Sequence, residues 1–555
     1  MKQNSENVED YLARVEKLNQ LGIALSAEKN FPKLLEEVLV GAKELTRADA
    51  GTLYTVTERN TLKFEIIRTD SLNIAKGGTT GIEIGFPEIP LYSDGVPNLE
   101  MVAPSAVLQG TTINIPNAYE AEGYDFSGTR AFDRNNGYRS ISFLTVPLKN
   151  HDNEVIGVLQ LINATDGKTR QIVPFGTTDQ RIAESLASQA AMAMTNRTLI
   201  SDLEKLFESF IQTIASAIDD KSPYTARHCE KVPVIAEMLA RAAKESDLGD
   251  LKHFDPTTEE MNEIRMAAWM HDCGKVVTPE HVVDKTTKLE TIVDRIRMVE
   301  LRMELVRKEW EIEQLKKKTS ATEGSGSSES EQETPDLDQR LRQLEEDIEF
   351  IRKVNKGEDF MTEQRLERLR EIGKKYWWTD GSGVRQPLFD ADELYNLSIP
   401  RGTLTQEQRR VINHHVVVTK KMLSALPFPK HLRHVPEMAG SHHETMNGTG
   451  YPEGLKREQM SIGARIMAIA DIFEALTAAD RPYKPAKTLS ESLKILGFMK
   501  KSGHIDPDLF QVFMDRKIYL EYAKAYLSPG QIDEVPLGSI PGYVARAHDA
   551  NRMKA

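Results

Sequence analysis

Histidines are few in this 555-residue chain, yet His228, His271, His414, His415, His442 and His443 gather between residues 228 and 443. Asp272 follows His271 directly, and Asp471 stands inside the apolar run RIMAIADIFEAL. A carboxylate there is costly to bury unless it is paired, hydrogen-bonded or bound to a metal. Imidazole and carboxylate together suit Fe, Mn or Zn, and Cys229 and Cys273 alone make no competing thiolate cluster. Adjacent helical residues diverge by about 100°, so His271 and Asp272 can serve different ions or bridge a pair. Two ions roughly 3.5–4 Å apart form the standard clamp for hydrolysing a phosphodiester.

The motifs around these residues carry a resemblance. HDCGK (271–275) resembles the HD signature of metal-dependent phosphohydrolases. HHETMNGTGYP (442–452) matches the HHExxDGxGYP pattern of the HD-GYP subgroup, with Asn447 for the usual Asp. ADRPYK (479–484) looks like that subgroup's RPYR segment, and SPYTARHCEKV (222–232) completes the set in the expected order. The resemblance covers roughly 205–290 and 395–535. It implies an all-helical phosphodiesterase that cleaves the bacterial second messenger cyclic di-GMP to linear pGpG or GMP.

Carried over residue by residue, the resemblance implies metal ligands His228, His271, Asp272, His415, His442, His443 and Asp471. The stretch INHHVVVTKKML offers two histidines, and counting back from Leu423 in the family's pattern selects His415 over His414. Two divalent ions, Fe or Mn, are expected, with Asp272 bridging them. Some members hold a third metal through a glutamate one turn before the first histidine, and Tyr224 stands at that place here. Lys275 and Asp272 take the catalytic roles. Lys275, Arg481, Lys484, Gly450 and Tyr451 form the substrate side, although one extra residue separates Asp471 from Arg481. Cys273 replaces the usual Ile of the signature, and with Cys229 it adjoins the ligands; small buried packing is the expected role of both.

The elements that must position these residues follow from pattern and composition. A chain of this length exceeds one core. Residues 1–20 read as an N-terminal helix and 21–195 as mixed α/β, with strand-like runs AGTLYTVT, LKFEIIRT, SISFLTVPLKN and EVIGVLQLIN. An unbroken helical stretch from 178 to 220 reads as a connector that pairs with its copy in a dimer. The all-α domain is expected over 205–535, interrupted by an insertion at 289–404, with 536–555 as a tail. In that insertion Ile292, Ile296, Val299, Met303, Val306 and Trp310, then Leu337, Leu341, Leu344, Ile348 and Ile351, repeat at heptad spacing. Joined by a Gly/Ser/Glu-rich linker, they predict an antiparallel coiled-coil hairpin with a disordered tip, anchored at its base by Tyr376, Trp377 and Trp378.

The segment INIPNAYEAEGYDFSGTRAFDRNNGYRSISFLTVPLKNHDNEVIGVLQLINA resembles a GAF domain, closest to those of cyclic-nucleotide phosphodiesterases and adenylyl cyclases. Asn163, Phe175 and Asp179 stand at positions of that group's N-K-x-F-x-D-E motif, while Ala164 and Gln180 replace its Lys and Glu. With Asp133 they are the candidate GAF ligand residues for a small molecule of the cyclic-nucleotide kind; a purely dimerising GAF is the alternative.

A net charge of −13 excludes a general polyanion-binding surface, so no nucleic-acid polymer is expected. No secretory h-region and no membrane-length apolar run are present, and two cysteines suit a reducing cytoplasm. The expectation is a cytoplasmic, homodimeric cyclic di-GMP phosphodiesterase under GAF control, open to partner proteins through the GYP turn or the insertion. Hydrolysis of another cyclic dinucleotide or phosphoester, or signalling without turnover, are the alternatives.

Overall fold

A computed structural model describes residues 2–221, 227–322, 337–479 and 486–545, and the chain divides into two compact units, Met1–Leu206 and Phe207–Ala555. In the first unit, helix α1 (Lys2–Ala27) extends past residue 20 and is followed by α2 (Phe31–Thr46). Asn30 caps α2 by accepting the Lys33 amide at 3.0 Å, and Pro32 fills the first turn, where a missing N–H costs nothing.

Strands β1 (Ala48–Val56), β2 (Thr61–Thr69), β3 (Ile74–Gly77), β4 (Ile113–Ile115), β5 (Phe143–Lys149) and β6 (Val155–Thr165) form an antiparallel sheet in the order β3-β2-β1-β6-β5-β4. Its register sets Leu53 opposite Leu159 and Leu144 opposite Leu161. These side chains share one core with Leu35, Val38 and Leu39 of α2 and Leu186 of the long helix α3 (Thr177–Asp219). Leu18 and Leu25 of α1 enter the same core, and Gly22 lets α1 approach Gln189 of α3 closer than a Cβ would allow. The sequence places the long helix at 178–220, within one residue of its observed ends.

The second unit is mainly helical, with one antiparallel strand pair, Trp377–Thr379 and Arg385–Pro387, in the insertion read as wholly helical; its main helices are α4 (His228–Lys244), α5 (Thr258–Met270), α6 (Ile296–Thr322), α7 (Leu337–Lys356), α8 (Glu363–Lys375), α9 (Ala391–Leu397), α10 (Gln406–Ser424), α11 (Val435–Gly440), α12 (Ile462–Thr477), α13 (Leu489–Lys501), α14 (Pro507–Asp515) and α15 (Ile518–Tyr526). Helices α4, α5, α12, α13, α14 and α15 share one apolar core centred on residues such as Ile235, Ala267, Phe473 and Phe513. Thr257 and Thr405 start α5 and α10 with reciprocal capping boxes to Glu260 and Gln408.

Helices α6 to α9 form a second core between α5 and α10 in the chain. Glu300 pairs with Arg352 at 2.6 Å and Arg307 with Glu345 at 3.0 Å, so α6 and α7 run antiparallel. Val299, Met303 and Val306 face Leu344 and Ile351 in that core. Ile292 departs from the heptad reading: it lies ahead of α6 and is 92% exposed. The α6 helix also continues through 316–322, into the stretch read as linker, while the expected disordered tip at 323–336 lies outside the described residues. Of the aromatic trio, Tyr376 is buried and donates to Asp347 at 2.9 Å, Trp378 is half-buried, and Trp377 faces out. No helix among the described residues is long and apolar enough to cross a membrane.

Candidate metal centre

Five elements deliver the chemistry to one place. His228 opens α4, while His271 and Asp272 end α5 at a tight turn over Cys273–Val277. His415 sits in the middle of α10, His442 and His443 follow α11, and Asp471 lies in α12. Helix α12 is apolar on nearly all sides and buried along most of its length, which is why Asp471 requires a compensating partner.

The turn after α5 is locked to α10. The Thr419 hydroxyl donates to the His271 carbonyl at 3.0 Å and accepts the Gly274 amide at 2.9 Å. A Cβ on Gly274 would stand 2.0 Å from the His415 carbonyl oxygen, so only glycine permits this approach. Thr419 is one helical turn beyond His415, so the same face of α10 supplies both the lock and the imidazole.

The imidazole tautomers follow from their partners. His271, His415 and His442 each place Nδ1 on the carbonyl three residues earlier, Ala268, Ile412 and Ala439, at 2.8, 2.5 and 2.6 Å. A carbonyl only accepts, so each Nδ1 carries a proton and each Nε2 presents a lone pair. His228 places its Nδ1 proton on a carboxylate instead, with Nδ1 2.6 Å from Glu474 Oε2. Nε2 of His415 and Nε2 of His442 are buried and make no hydrogen bond of good geometry among the described residues. Nε2 of His228 and Nε2 of His271 face each other at 3.2 Å, an approach that needs a shared proton or a cation between them.

Two donor groups result: His228, His271 and Asp272, and His415, His442 and His443. Asp471 Oδ1 lies 3.2 Å from His228 Nε2 and 3.8 Å from His271 Nε2, on the first group's side. Asp272 touches both groups. Its Oδ2 lies 3.3 Å from His271 Nε2 and 3.5 Å from His228 Nε2, and its Oδ1 lies 3.2 Å from His415 Nε2.

The electrostatics favour cations. Burial opposes charge at His228, yet Asp272, Asp471 and Glu474 outweigh it and raise the imidazole well above its ordinary range. Burial also opposes charge at Asp272, but Lys275 and His271 hold its carboxyl well below the usual range. Burial drives His442 toward its neutral, ligating form and His443 down to about 4. Imidazole lone pairs and buried carboxylates are the donor set of a divalent first-row metal.

The GYP turn closes one side. Glu444 is buried and accepts the amides of Glu453, Gly454 and Leu455 at 2.7, 3.1 and 2.8 Å, pulling the turn back onto the histidine pair. Gly450 packs against the backbone of His443 to Thr445, where a Cβ would stand 2.5 Å from the Glu444 Cα. The Tyr451 ring lies over His443, with centroids 4.9 Å apart and planes at 30°.

The structure thus brings together all seven sequence-expected ligand positions, and it turns His414 outward beside buried His415. Lys275 joins them at 2.5 Å from Asp272 Oδ2. Arg481, Lys484 and Tyr224 lie outside the described residues. Cys229 and Cys273 are buried, and burial pushes both thiols up, Cys273 to about 11, so neither is a thiolate at neutral pH. Glu474, Thr419 and Glu444 were not singled out from the sequence. Glu474 had a signal, since it lies three residues from Asp471 on the same helix face.

In the first unit the candidate GAF residues are engaged within the protein. Asn163 Oδ1 accepts the amides of Ile141 and Ser142, and its Nδ2 donates to Tyr138 Oη and the Arg139 carbonyl. Asp133 accepts from Ser140 and from Tyr119 Oη, and Asp179 accepts the Gly176 amide and pairs with Arg14. Phe175 is a core residue.

Residues 30–194 match the GAF domain family and residues 389–509 the HD domain family. The chain therefore joins an α/β GAF domain to an all-helical HD domain of the HD-GYP type. The HD match takes in His415, His442, His443 and Asp471, while His228, His271 and Asp272 come from before the insertion.

Among curated proteins, a 3'3'-cGAMP-specific phosphodiesterase of Vibrio cholerae is 38% identical over 20% of this chain and 23% of its own. A cyclic di-GMP phosphodiesterase of Thermotoga maritima is 28% identical over 31% of this chain and 49% of its own. A cyclic di-GMP phosphodiesterase of Pseudomonas aeruginosa is 42% identical over 13% and 17%. The chain thus spans half or less of the length of each of these relatives. Among solved structures, the GAF domain of an Acinetobacter phosphoenolpyruvate-protein phosphotransferase is 15% identical, covering 34% of this chain and 96% of its own, at a TM-score of 0.25.

Proposed function

We propose that this chain is a metal-dependent phosphodiesterase that hydrolyses cyclic di-GMP to pGpG or GMP, under the control of its GAF domain. The observation that carries the reading is Asp272, whose two oxygens face separate histidine groups. His228, His271, Asp272 and Asp471 would hold one divalent ion, and Asp272, His415, His442 and His443 the other. Iron or manganese fits these nitrogen and oxygen donors. Such a pair supplies an activated water and neutralises phosphate charge when bound.

The chain's own residues do the rest. Carbonyls and Glu474 fix four imidazoles as single tautomers, so the lone pairs need no reorganisation. Lys275, now paired with Asp272, would turn to a non-bridging phosphate oxygen. Gly450 and Tyr451 would form the substrate-facing edge of the turn, and Arg481 and Lys484 would meet the second phosphate. We further infer a cytoplasmic homodimer paired along α3, with a small cyclic-nucleotide-like ligand for the GAF domain and partner proteins at the GYP turn or the insertion.

The relative named for 3'3'-cGAMP makes that hybrid dinucleotide the second substrate to test. The deciding assay incubates anaerobically purified, metal-analysed protein with each cyclic dinucleotide. A linear product from cyclic di-GMP supports the reading. Product from the hybrid alone replaces the substrate, and a fully metal-loaded protein that cleaves neither favours signalling without turnover.

A further inference from the structure

The last turns of α3 belong to the second unit, where Ile211 and Ile218 share the apolar core of α4, α5 and α12. Two charged side chains at that end reach the turns that carry the first donor group, His228, His271 and Asp272. Asp219, the last residue of α3, is buried, and its Oδ2 accepts the Cys229 amide at 3.0 Å. Cys229 lies in the first turn of α4, directly after His228. Arg227 stands at the cap position of α4 and has no side-chain acceptor to offer. Asp219 therefore does from a neighbouring helix what a capping residue does from its own.

Lys221 is half-buried and grips the other turn. Its Nζ donates to the carbonyls of Lys275, Val276 and Thr278 at 3.2, 2.6 and 2.7 Å. An ammonium has three protons, and three carbonyls take them all. These carbonyls end the tight turn that follows His271 and Asp272, and one of them belongs to Lys275 itself. Thr419 ties the start of that turn to α10. Asp219 and Lys221, two residues apart, thus hold the start of α4 and the end of this turn to one short stretch of chain. Between those two elements His228 Nε2 lies 3.2 Å from His271 Nε2 and 3.5 Å from Asp272 Oδ2.

We propose that Asp219 and Lys221 are positioning residues of the metal centre, which set the spacing between His228 and the His271–Asp272 pair and so the affinity of the first donor group. Both act through backbone rather than as ligands. The proposal rests on the metal-centre reading and adds the contacts that space one of its two groups. Donors already held at their binding spacing need no reorganisation when the ion arrives, and contacts behind the ligands supply that order.

The test titrates Mn²⁺ into the metal-free full chain, with thermal unfolding measured on the same samples. Two binding steps are expected for the wild type, and His228→Ala, which removes a ligand, identifies the step of the first group by its loss. Lys221→Met is expected to weaken that same step by about 10-fold or more and to leave the other near its wild-type value. Lys221→Arg keeps N–H donors and should recover part of the loss. Asp219→Ala should act on the same step, while Asp219→Asn, still an acceptor, recovers it; this pair carries the test if Lys221→Met fails to fold. Lys500→Met removes a comparable contact, a 2.6 Å bond to the Gly542 carbonyl from a helix that bears no ligand, and should lower stability alone. Unchanged Mn²⁺ steps in Lys221→Met and Asp219→Ala overturn the proposal, whatever happens to stability, and leave the metal-centre reading standing. An equal weakening of both steps, or of the second alone, overturns it as well. A wild type that binds no Mn²⁺ overturns the metal-centre reading and the proposal with it.

Discussion

Glu474 Oε2 lies 2.6 Å from Nδ1 of His228, and both groups are buried. The other three oriented imidazoles lean on neutral carbonyls, so His228 alone is backed by a carboxylate. Such a partner fixes the ring and raises its basicity, and its loss typically costs 10–100-fold in metal affinity. Glu474→Gln is therefore expected to weaken the tighter step of an Mn²⁺ titration by roughly that factor. Glu474→Asp should recover part of it. Unchanged binding in Glu474→Gln would show that the contact orients nothing.

Gly274 is where the α5 turn meets α10. Gly274→Ala forces a methyl to within 2.0 Å of the His415 carbonyl oxygen and 2.6 Å of the Thr419 amide. Both are backbone atoms of a packed helix, so the strain is expected to cost about 1–3 kcal/mol. Thermal unfolding should show a lowered transition of the second unit, and metal analysis a reduced content. A variant with wild-type stability and metal content contradicts the described lock.

Asn447 explains its own departure from the usual Asp. Its Oδ1 accepts from Thr445 and Thr449, as a carboxylate also could, but its Nδ2 donates to the Ser502 carbonyl at 3.0 Å. Asn447→Asp loses that donor and sets an anionic oxygen against a carbonyl. The site is exposed, so denaturant unfolding should show a loss of about 0.5–1.5 kcal/mol with metal content unchanged.

How much of this was legible in the sequence depends on the kind of signal. His442 and His443 stand in a motif whose glycines announce a turn, and His271 and Asp272 are adjacent, so local spacing was enough. Between His414 and His415 the family spacing chose the residue that the fold buries. Glu474 and Thr419 stayed hidden because an acid or a hydroxyl on a helix usually faces water, and Glu444 because it lies in the irregular stretch after α11, where no periodicity assigns it a face. The partners of Glu474 and Thr419 lie 246 and 148 residues away and appear only when the helices pack, while those of Glu444 lie about ten residues on, across the GYP turn. The heptads of the insertion gave its antiparallel pair, but Ile292 extended the pattern beyond the helix start, since periodicity alone does not mark where a helix begins.

Lys288 offers a pH test of the insertion. It is fully buried and donates to the Leu397 and Ile399 carbonyls at 3.0 and 2.8 Å. Burial, with Arg365 nearby, pushes its ammonium down to about 8, below the unfolded value of about 10.4. Between those values the unfolded chain binds more protons than the folded one, so stability rises with pH across the window. The penalty is fully present below about pH 8. Urea resistance of the insertion should therefore grow from about pH 7.5 to about pH 9.5, by on the order of 1–3 kcal/mol. Trp310, Trp377 and Trp378, three of the chain's four tryptophans, report it by fluorescence. Lys285 is lowered in the same way, so Lys288→Met should reduce the slope without abolishing it. Stability that falls over this range contradicts the assignment.

The central claim is that Asp272 joins two histidine groups into one two-metal phosphodiesterase site. Its most direct test measures bound metal per chain and cyclic di-GMP turnover on the same anaerobic preparations of wild type and Asp272→Ala. The account predicts about two ions and a linear product for the wild type, and for Asp272→Ala a loss of metal with turnover down at least 10²-fold, the scale set by one electrostatic contact at a reacting centre. Full turnover by Asp272→Ala, or two ions retained in it, would contradict the account.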